Sequence, residues 1–139
     1  MQLGASAFVR PDSAQDLPRA ATEALGGMPD VVIEAVGKPD LIAQAVNCVR
    51  PAGTVVVLGF CSVPDSFIPA IAVWKEVKLQ FSMTYSVQEF EHVARVLDSG
   101  DVACRAMITD TVPLAALPET FEALRHRSTQ CKVMVSPWT

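Results

Sequence analysis

The side chains able to ligate a metal or act as nucleophiles are few and scattered. Cys48, Cys61, Cys104 and Cys131 are separated by 13, 43 and 27 positions, which matches no paired spacing of a zinc site. His92 and His126 both fall within helical patterns, and neither has Asp, Glu or Cys around it at ligand spacing. The cysteines, each in or beside an apolar segment, read as reduced structural thiols, and the histidines as solvated or helix-packing side chains. Zinc is therefore not expected on these residues. Glu34 is the one acid in a buried-looking apolar run, where burial raises a carboxyl pKa unless the group is paired. It reads as a strand-end carboxylate meeting a backbone amide or a lysine. Asp110 and Glu119 read as turn and helix-start residues. The seven glycines form no G-x-G-x-x-G, and a nucleophile elbow, a zinc-spaced histidine pair and a phosphate loop are all missing from the sequence.

The elements that must position these groups follow from periodicity. A short strand is predicted over Ala7 to Arg10, ended by Pro11-Asp12-Ser13. A helix then runs from Ser13 to Leu25, with Pro18 in its first turns and Gly26-Gly27 as a left-handed stop. Val31-Val32-Ile33 is a β-branched run without alternation, as in a strand covered on both faces of a parallel sheet. Lys38-Pro39-Asp40 opens a helix whose Leu41, Ile42, Ala45, Val46 and Val49 share one face, and Pro51-Ala52-Gly53 breaks it. Thr54 to Leu58 is a second buried-strand run. A short helix is predicted near Ala70 to Trp74. An alternating edge strand follows over Val77 to Tyr85, with Val77, Leu79, Phe81 and Met83 on one face. Ser86-Val87-Gln88-Glu89 is a capping box that starts a helix reaching Gly100. A strand at Ala106 to Ile108, a helix from Pro118 to about Arg127 and a strand from Lys132 to Val135 complete the chain. Strands alternating with helices over short connections make an α/β protein with a parallel sheet.

Composition narrows the class of partner. Half of the 139 residues are apolar and 19% are charged, which is ample for one core and excludes disorder. The formal charge is −4, with the basic residues scattered singly, so nucleic acid is a poor partner. The longest apolar stretches fall far below the roughly 18 residues that cross a bilayer. With no basic start and apolar core near Met1, no secretory leader is expected, and the location expected is cytoplasmic.

Three segments in order carry a resemblance: "VVIEAVG" from Val31 to Gly37, "RPAGTVVVLGF" from Arg50 to Phe60, and "WKEVKLQFSMTY" from Trp74 to Tyr85. With "ITDTVPLAALPETFEAL" from Ile108 to Leu124 and "KVMV" from Lys132 to Val135, they resemble the zinc-containing alcohol and polyol dehydrogenases of the medium-chain family. The resemblance implies a partial Rossmann-like sheet over Ala5 to about Ala103, lacking the first two strands and the glycine-rich turn. Residues 104–139 would then match the end of the catalytic domain. Met1 to Ala5 looks like the tail of the cofactor domain's second helix.

By the same resemblance, the residues that would touch NAD or NADP are Ala35, Val36 and Lys38, then Leu58, Gly59 and Phe60, then Ser82, Met83 and Thr84. These positions lie at the carboxyl ends of parallel strands, where open α/β sheets place ligands. Phe81 stands where polyol dehydrogenases typically carry glycine. The implied reaction oxidises an alcohol to a carbonyl, with zinc polarising the oxygen and the nicotinamide taking the hydride. This chain by itself is expected to be inactive, with weak or no dinucleotide affinity. The alternative is a freestanding assembly or binding module derived from such an enzyme.

Assembly is expected on physical grounds as well. If the remaining strands pack in sequence order through right-handed crossovers, the helices fall on one face and leave the other bare. A homo-oligomer, at least a dimer, is predicted through the Val77 to Tyr85 edge, the uncovered face, or both.

Overall fold

The computed structural model describes residues 3–10, 16–100, 103–126 and 129–138. The chain divides into two compact units, Ser6–Thr84 and Tyr85–Thr139 together with Met1–Ala5.

The first unit is built on a parallel three-stranded sheet of β1 (Val31–Glu34), β2 (Thr54–Val57) and β3 (Lys78–Phe81), in the order β1-β2-β3. Helix α1 (Leu17–Leu25) precedes β1, α2 (Leu41–Cys48) crosses from β1 to β2, and α3 (Pro69–Trp74) crosses from β2 to β3. The register pairs Val32 with Val55 and Val55 with Leu79, and pairs Glu34 with Val57 and Val57 with Phe81. Side chains alternate across a sheet, so Val32, Val55, Val57 and Leu79 share one face. They pack with Ala45, Val46 and Val49 of α2 and Ile71 and Ala72 of α3. Both crossover helices therefore cover the same face. On the opposite face Val31 is 53% and Ile33 61% exposed, and Thr54 and Val56 are half-buried.

Local chemistry explains most boundaries. Gly26, at φ +71°, ends α1, with its N–H and that of Gly27 donating to Glu23 O and Thr22 O, the left-handed stop that the sequence implies. Pro18 lies in the first turn, and α1 starts at Leu17, while Ser13 lies outside the described residues. Beneath the sheet, Arg50 Nε donates to Asp30 Oδ1 at 2.5 Å and Nη1 to Pro51 O at 2.7 Å, fixing the turn into β2. The last carbonyls of α2 have no partner within the helix; Lys75 Nζ supplies one, donating to Val46 O at 2.7 Å and Asn47 O at 3.1 Å.

Several expectations need correction. Residues 7–10 form no strand, because the sheet ends at β1 and gives them no neighbour to bond. The edge strand occupies only Lys78–Phe81, since β2 stops at Val57 and leaves Ser82 N–H to donate to Val57 O at 3.0 Å, after which Thr84 turns to φ +58°. Leu79 belongs to the helix-covered side, whereas Phe81, though in register with Val57, is 63% exposed. Leu3 and Gly4 lie in a turn and bend rather than a helix.

In the second unit, α4 (Val87–Asp98) starts at a complete capping box: Glu89 N–H donates to Ser86 Oγ at 3.2 Å and Ser86 N–H to Glu89 Oε2 at 2.6 Å. The Tyr85 and Phe90 rings stack at 5.8 Å. Ala103–Met107 is a 3-10 helix, and the strand expected at Ala106 begins only at Ile108, as β4 (Ile108–Pro113). This strand pairs in parallel with β5 (Lys132–Ser136). Asp110 lies inside β4, not in a turn. Helix α5 (Leu117–Ala123), with Glu119 in its first turn, passes into a 3-10 turn, Leu124–His126; Arg127 lies outside the described residues. Cys48 is buried, Cys61 and Cys104 are partly buried, and Cys131 is exposed. Of these four, Cys48 is the one set in the apolar core. His92 and His126 are exposed.

Candidate functional site

The three parallel strands stop level with one another, at the register partners Glu34, Val57 and Phe81. The loops leaving these ends surround a cavity of about 590 Å³, lined by the loops after all three strands and by Ile42 at the start of α2. Parallel strands place all their carboxyl ends on one edge, and ligands of open α/β sheets bind there.

Seven of the nine residues expected at a cofactor line this cavity: Lys38, Leu58, Gly59, Phe60, Ser82, Met83 and Thr84. Ala35 and Val36 instead line a smaller cavity of about 170 Å³ beside the free edge of β1, with Leu17, Leu41 and Gln44. Besides the strand-end residues Glu34, Val57 and Phe81, the sequence reading missed Ile42, Cys61, Val63 and Asp65 as wall residues. Asp65 had a local signal in Pro64-Asp65-Ser66, a turn-forming run. Its Oδ1 accepts from Ser66 N–H and from Asp40 N–H, both at 2.8 Å, tying the loop after β2 to the start of α2.

Glu34 sits at the floor and is 7% exposed. Its Oε1 accepts from Val36 N–H at 2.7 Å and Gly37 N–H at 2.8 Å. Its main-chain oxygen accepts from Leu58 N–H at 2.8 Å and Gly59 N–H at 3.0 Å. The expected pairing with backbone amides is what the structure shows. Above it the two loops touch through glycine: a Cβ on Gly37, at φ +74°, would lie 2.5 Å from Phe60 N, and one on Gly59 would collide with Glu34 Oε2 and Gly37 N. Here close backbone approach, as well as turn geometry, demands glycine.

The cavity combines backbone walls with the apolar side chains of Ile42, Val57, Phe81 and Met83, and carries the hydroxyls of Ser82 and Thr84 and the cation of Lys38 at its polar margin. Such a mixture suits a flat, weakly polar ring, so the residues fit the nicotinamide end of a dinucleotide. For zinc the donor set does not fit: among the described residues no three His, Cys, Asp or Glu side chains stand together as a metal site. Among the described residues, too, no helix is long and apolar enough to cross a membrane.

Comparison with known proteins agrees with this geometry. The family profile described as zinc-binding dehydrogenase matches residues 1–99. A probable zinc-binding alcohol dehydrogenase of Mycobacterium tuberculosis is 30% identical over 119 residues, which cover 85% of this chain and 30% of that protein. The L-galactonate-5-dehydrogenase of Escherichia coli is 30% identical over 79% of this chain and 33% of its own length. The chain thus spans about one third of the relatives it matches. Among solved structures, 2R,3R-butanediol dehydrogenase from Bacillus subtilis superposes with a TM-score of 0.79 and 27% identity, over 93% of this chain and 37% of that one. An Escherichia coli relative solved with NADH shares the fold, with a TM-score of 0.71 and 24% identity over 84% of this chain and 34% of its own. With its parallel sheet, its level strand ends and more than half its length matched by one profile, the chain belongs to the zinc-binding dehydrogenase family.

Proposed function

We propose that these 139 residues form the later part of the dinucleotide-binding fold of a zinc-type, NAD(P)-dependent alcohol dehydrogenase, and that the strand-end cavity takes the nicotinamide end of the cofactor. Residues 5–103 belong to the cofactor-binding portion and 104–139 to the catalytic-domain portion in this reading. The observation that carries it is the common stopping level of Glu34, Val57 and Phe81, with Gly37 and Gly59 opening the backbone wall beside them. Hydride transfer to a nicotinamide also needs a zinc site and a pyrophosphate grip, and neither is built from the described residues of this stretch. The chain alone is therefore catalytically silent and holds the dinucleotide weakly. A cytoplasmic setting goes with this reading, since the Cys48 thiol is a core group.

NADH fluorescence titration, run beside an alcohol-oxidation assay with NAD and NADP, tests the proposal. Weak, saturable binding without turnover is expected. No binding at millimolar NADH, or turnover abolished by a chelator, would overturn it.

A second reading, self-assembly, draws on a different observation. The bare face is apolar around Val31 and Ile33, with the single cation Lys78 and the neutral Gln80 at its β3 side, so two copies can meet there if the two lysines lie apart. Parallel sheets are ordinarily covered on both faces. A dimer through this face supplies that cover, and one through the β3 edge would extend the sheet instead.

A further inference from the structure

We propose that Glu34 is a positioning residue: its carboxylate holds the loop after β1 in the turn that meets the loop after β2, which its main-chain oxygen holds, and so sets the hydrogen-bonding character that the strand-end cavity presents to a ligand. The inference rests on the reading of that cavity as a nicotinamide-end site.

Three observations converge on one side chain. Glu34 is the buried charged residue of the described core. Its Oε1 engages the N–H groups of Val36 and Gly37, and its main-chain oxygen engages those of Leu58 and Gly59. Its Oε2 lies against Gly59, so closely that a methyl group at position 59 would strike it. A single residue thus bonds both loops at the point where their backbones touch.

The consequence is chemical as well as mechanical. The N–H groups of Val36, Gly37, Leu58, Gly59 and Ser82 are all engaged inside the unit. Glu34 itself lines the cavity, and its carboxylate accepts but does not donate. A buried carboxylate there favours a neutral group that donates, such as a primary amide, and disfavours a second carboxylate. Removing the Glu34 side chain frees two adjacent N–H groups, which is the arrangement that binds anions. Glu34 therefore sets preference, not only stability.

The test compares the unaltered 139-residue chain with Glu34→Gln and Glu34→Ala, using NADH and its nicotinic-acid analogue as probes and amide hydrogen exchange as a ligand-independent readout. Glutamine keeps an acceptor, so exchange at Val36 and Gly37 should stay within about threefold of the unaltered chain. Alanine should speed it by roughly tenfold to a hundredfold while Val55 and Val57 stay protected, because a bond to a charged acceptor is lost. In Glu34→Ala, NADH should weaken more than the acid analogue, so that the ratio of their affinities falls, a change that loosening alone does not produce. Unchanged exchange at Val36 and Gly37 in Glu34→Ala, or an unchanged affinity ratio, would overturn the proposal. If that variant loses protection at Val55 as well, the unaltered chain decides through NMR scalar coupling across the hydrogen bonds from the amide nitrogens of Val36 and Gly37 to the Glu34 carboxyl carbon: coupling supports the lock and its absence removes it. Failure of the unaltered chain to bind NADH would sink the cofactor reading and leave the exchange result to judge Glu34 by itself.

Discussion

Lys75 and Val46, 29 positions apart, are joined by a 2.7 Å hydrogen bond from the lysine ammonium to the last turn of α2. The cation stands where the helix gathers partial negative charge and where Asn47 O offers a second acceptor. Lys75→Met should lower unfolding stability by about 1 kcal/mol, the usual scale for a cation at a helix C-terminus. Urea unfolding followed by circular dichroism checks it, and an unchanged midpoint counts against the cap.

Close by, Cys48 is buried, and burial pushes its thiol above the ordinary value of 9.0, partly offset by the nearby Lys75. A raised folded pKa means that the stability linked to this thiol is present in full below the unfolded value and is lost as pH rises through the folded one. Lys75 is shifted down, chiefly by burial, so its own contribution runs the other way, rising with pH. Cys48→Ala removes the first effect and keeps the second. Its melting temperature should therefore fall less steeply above pH 9.0 than that of the unaltered chain; parallel slopes would refute the assignment.

At Gly59 an added methyl group meets Glu34 Oε2 and the Gly37 backbone together. The Gly37 atoms are backbone and cannot swing aside, so Gly59→Ala should cost about 1–3 kcal/mol, the range for overpacking. NADH binding should weaken with it. Gly27→Ala, where a Cβ meets open space, is the control and should bind as the unaltered chain does.

The apolar row of the edge strand offers Leu79 or Phe81 as a lysine probe of assembly; Phe81 is exposed, but Leu79 packs against the core beneath α2 and α3. A lysine there would unfold the unit whether or not it associates. Ile33, on the uncovered side and 61% exposed, is the better position. Ile33→Lys should lower the sedimenting mass at tens of micromolar, on the order of the concentration where weak dimers form, with its far-ultraviolet circular dichroism intact. A monomeric unaltered chain would remove the self-assembly reading.

Acid should act on α4. The Ser86 backbone and hydroxyl hold the Glu89 carboxyl below its usual range. A depressed folded pKa means that this stabilisation is present above the unfolded value and is lost as pH falls through the folded one. Helix content lost on acidification should include this contribution in the unaltered chain and not in Glu89→Gln, which has no carboxyl to titrate, as amide exchange at Ser86, whose N–H donates to Glu89 Oε2, would report.

What the sequence made legible was what neighbouring residues decide. The Gly26 stop and the Ser86 capping box rest on contacts within a few positions, and the β-branched runs at Val31 and Thr54 carry their preference in their own composition; each forms where periodicity puts it. Ala7 to Arg10 has the composition of a strand, but a strand needs a bonded neighbour and composition does not supply one. The Lys75 cap was invisible because its acceptors lie on another element. For the site, strand-end position located Leu58 to Phe60 and Ser82 to Thr84. Those six line one cavity, but strand-end position could not foresee that Ala35 and Val36 would line a cavity other than that of Lys38. That division depends on how the loop turns over the Glu34 carboxylate, a three-dimensional fact.

The backbone contact between Gly37 and Phe60 leaves no room for a side chain at position 37, where the first two loops meet. Evolution or an engineer could widen or narrow the opening there only by breaking the loop pair. Freedom to tune the aperture therefore resides on the opposite side, in the segment after β3, where Met83 and Thr84 are exposed and outside any strand ladder. Relatives that differ in the size of what they admit should carry their substitutions in that third loop, with the first two held nearly constant.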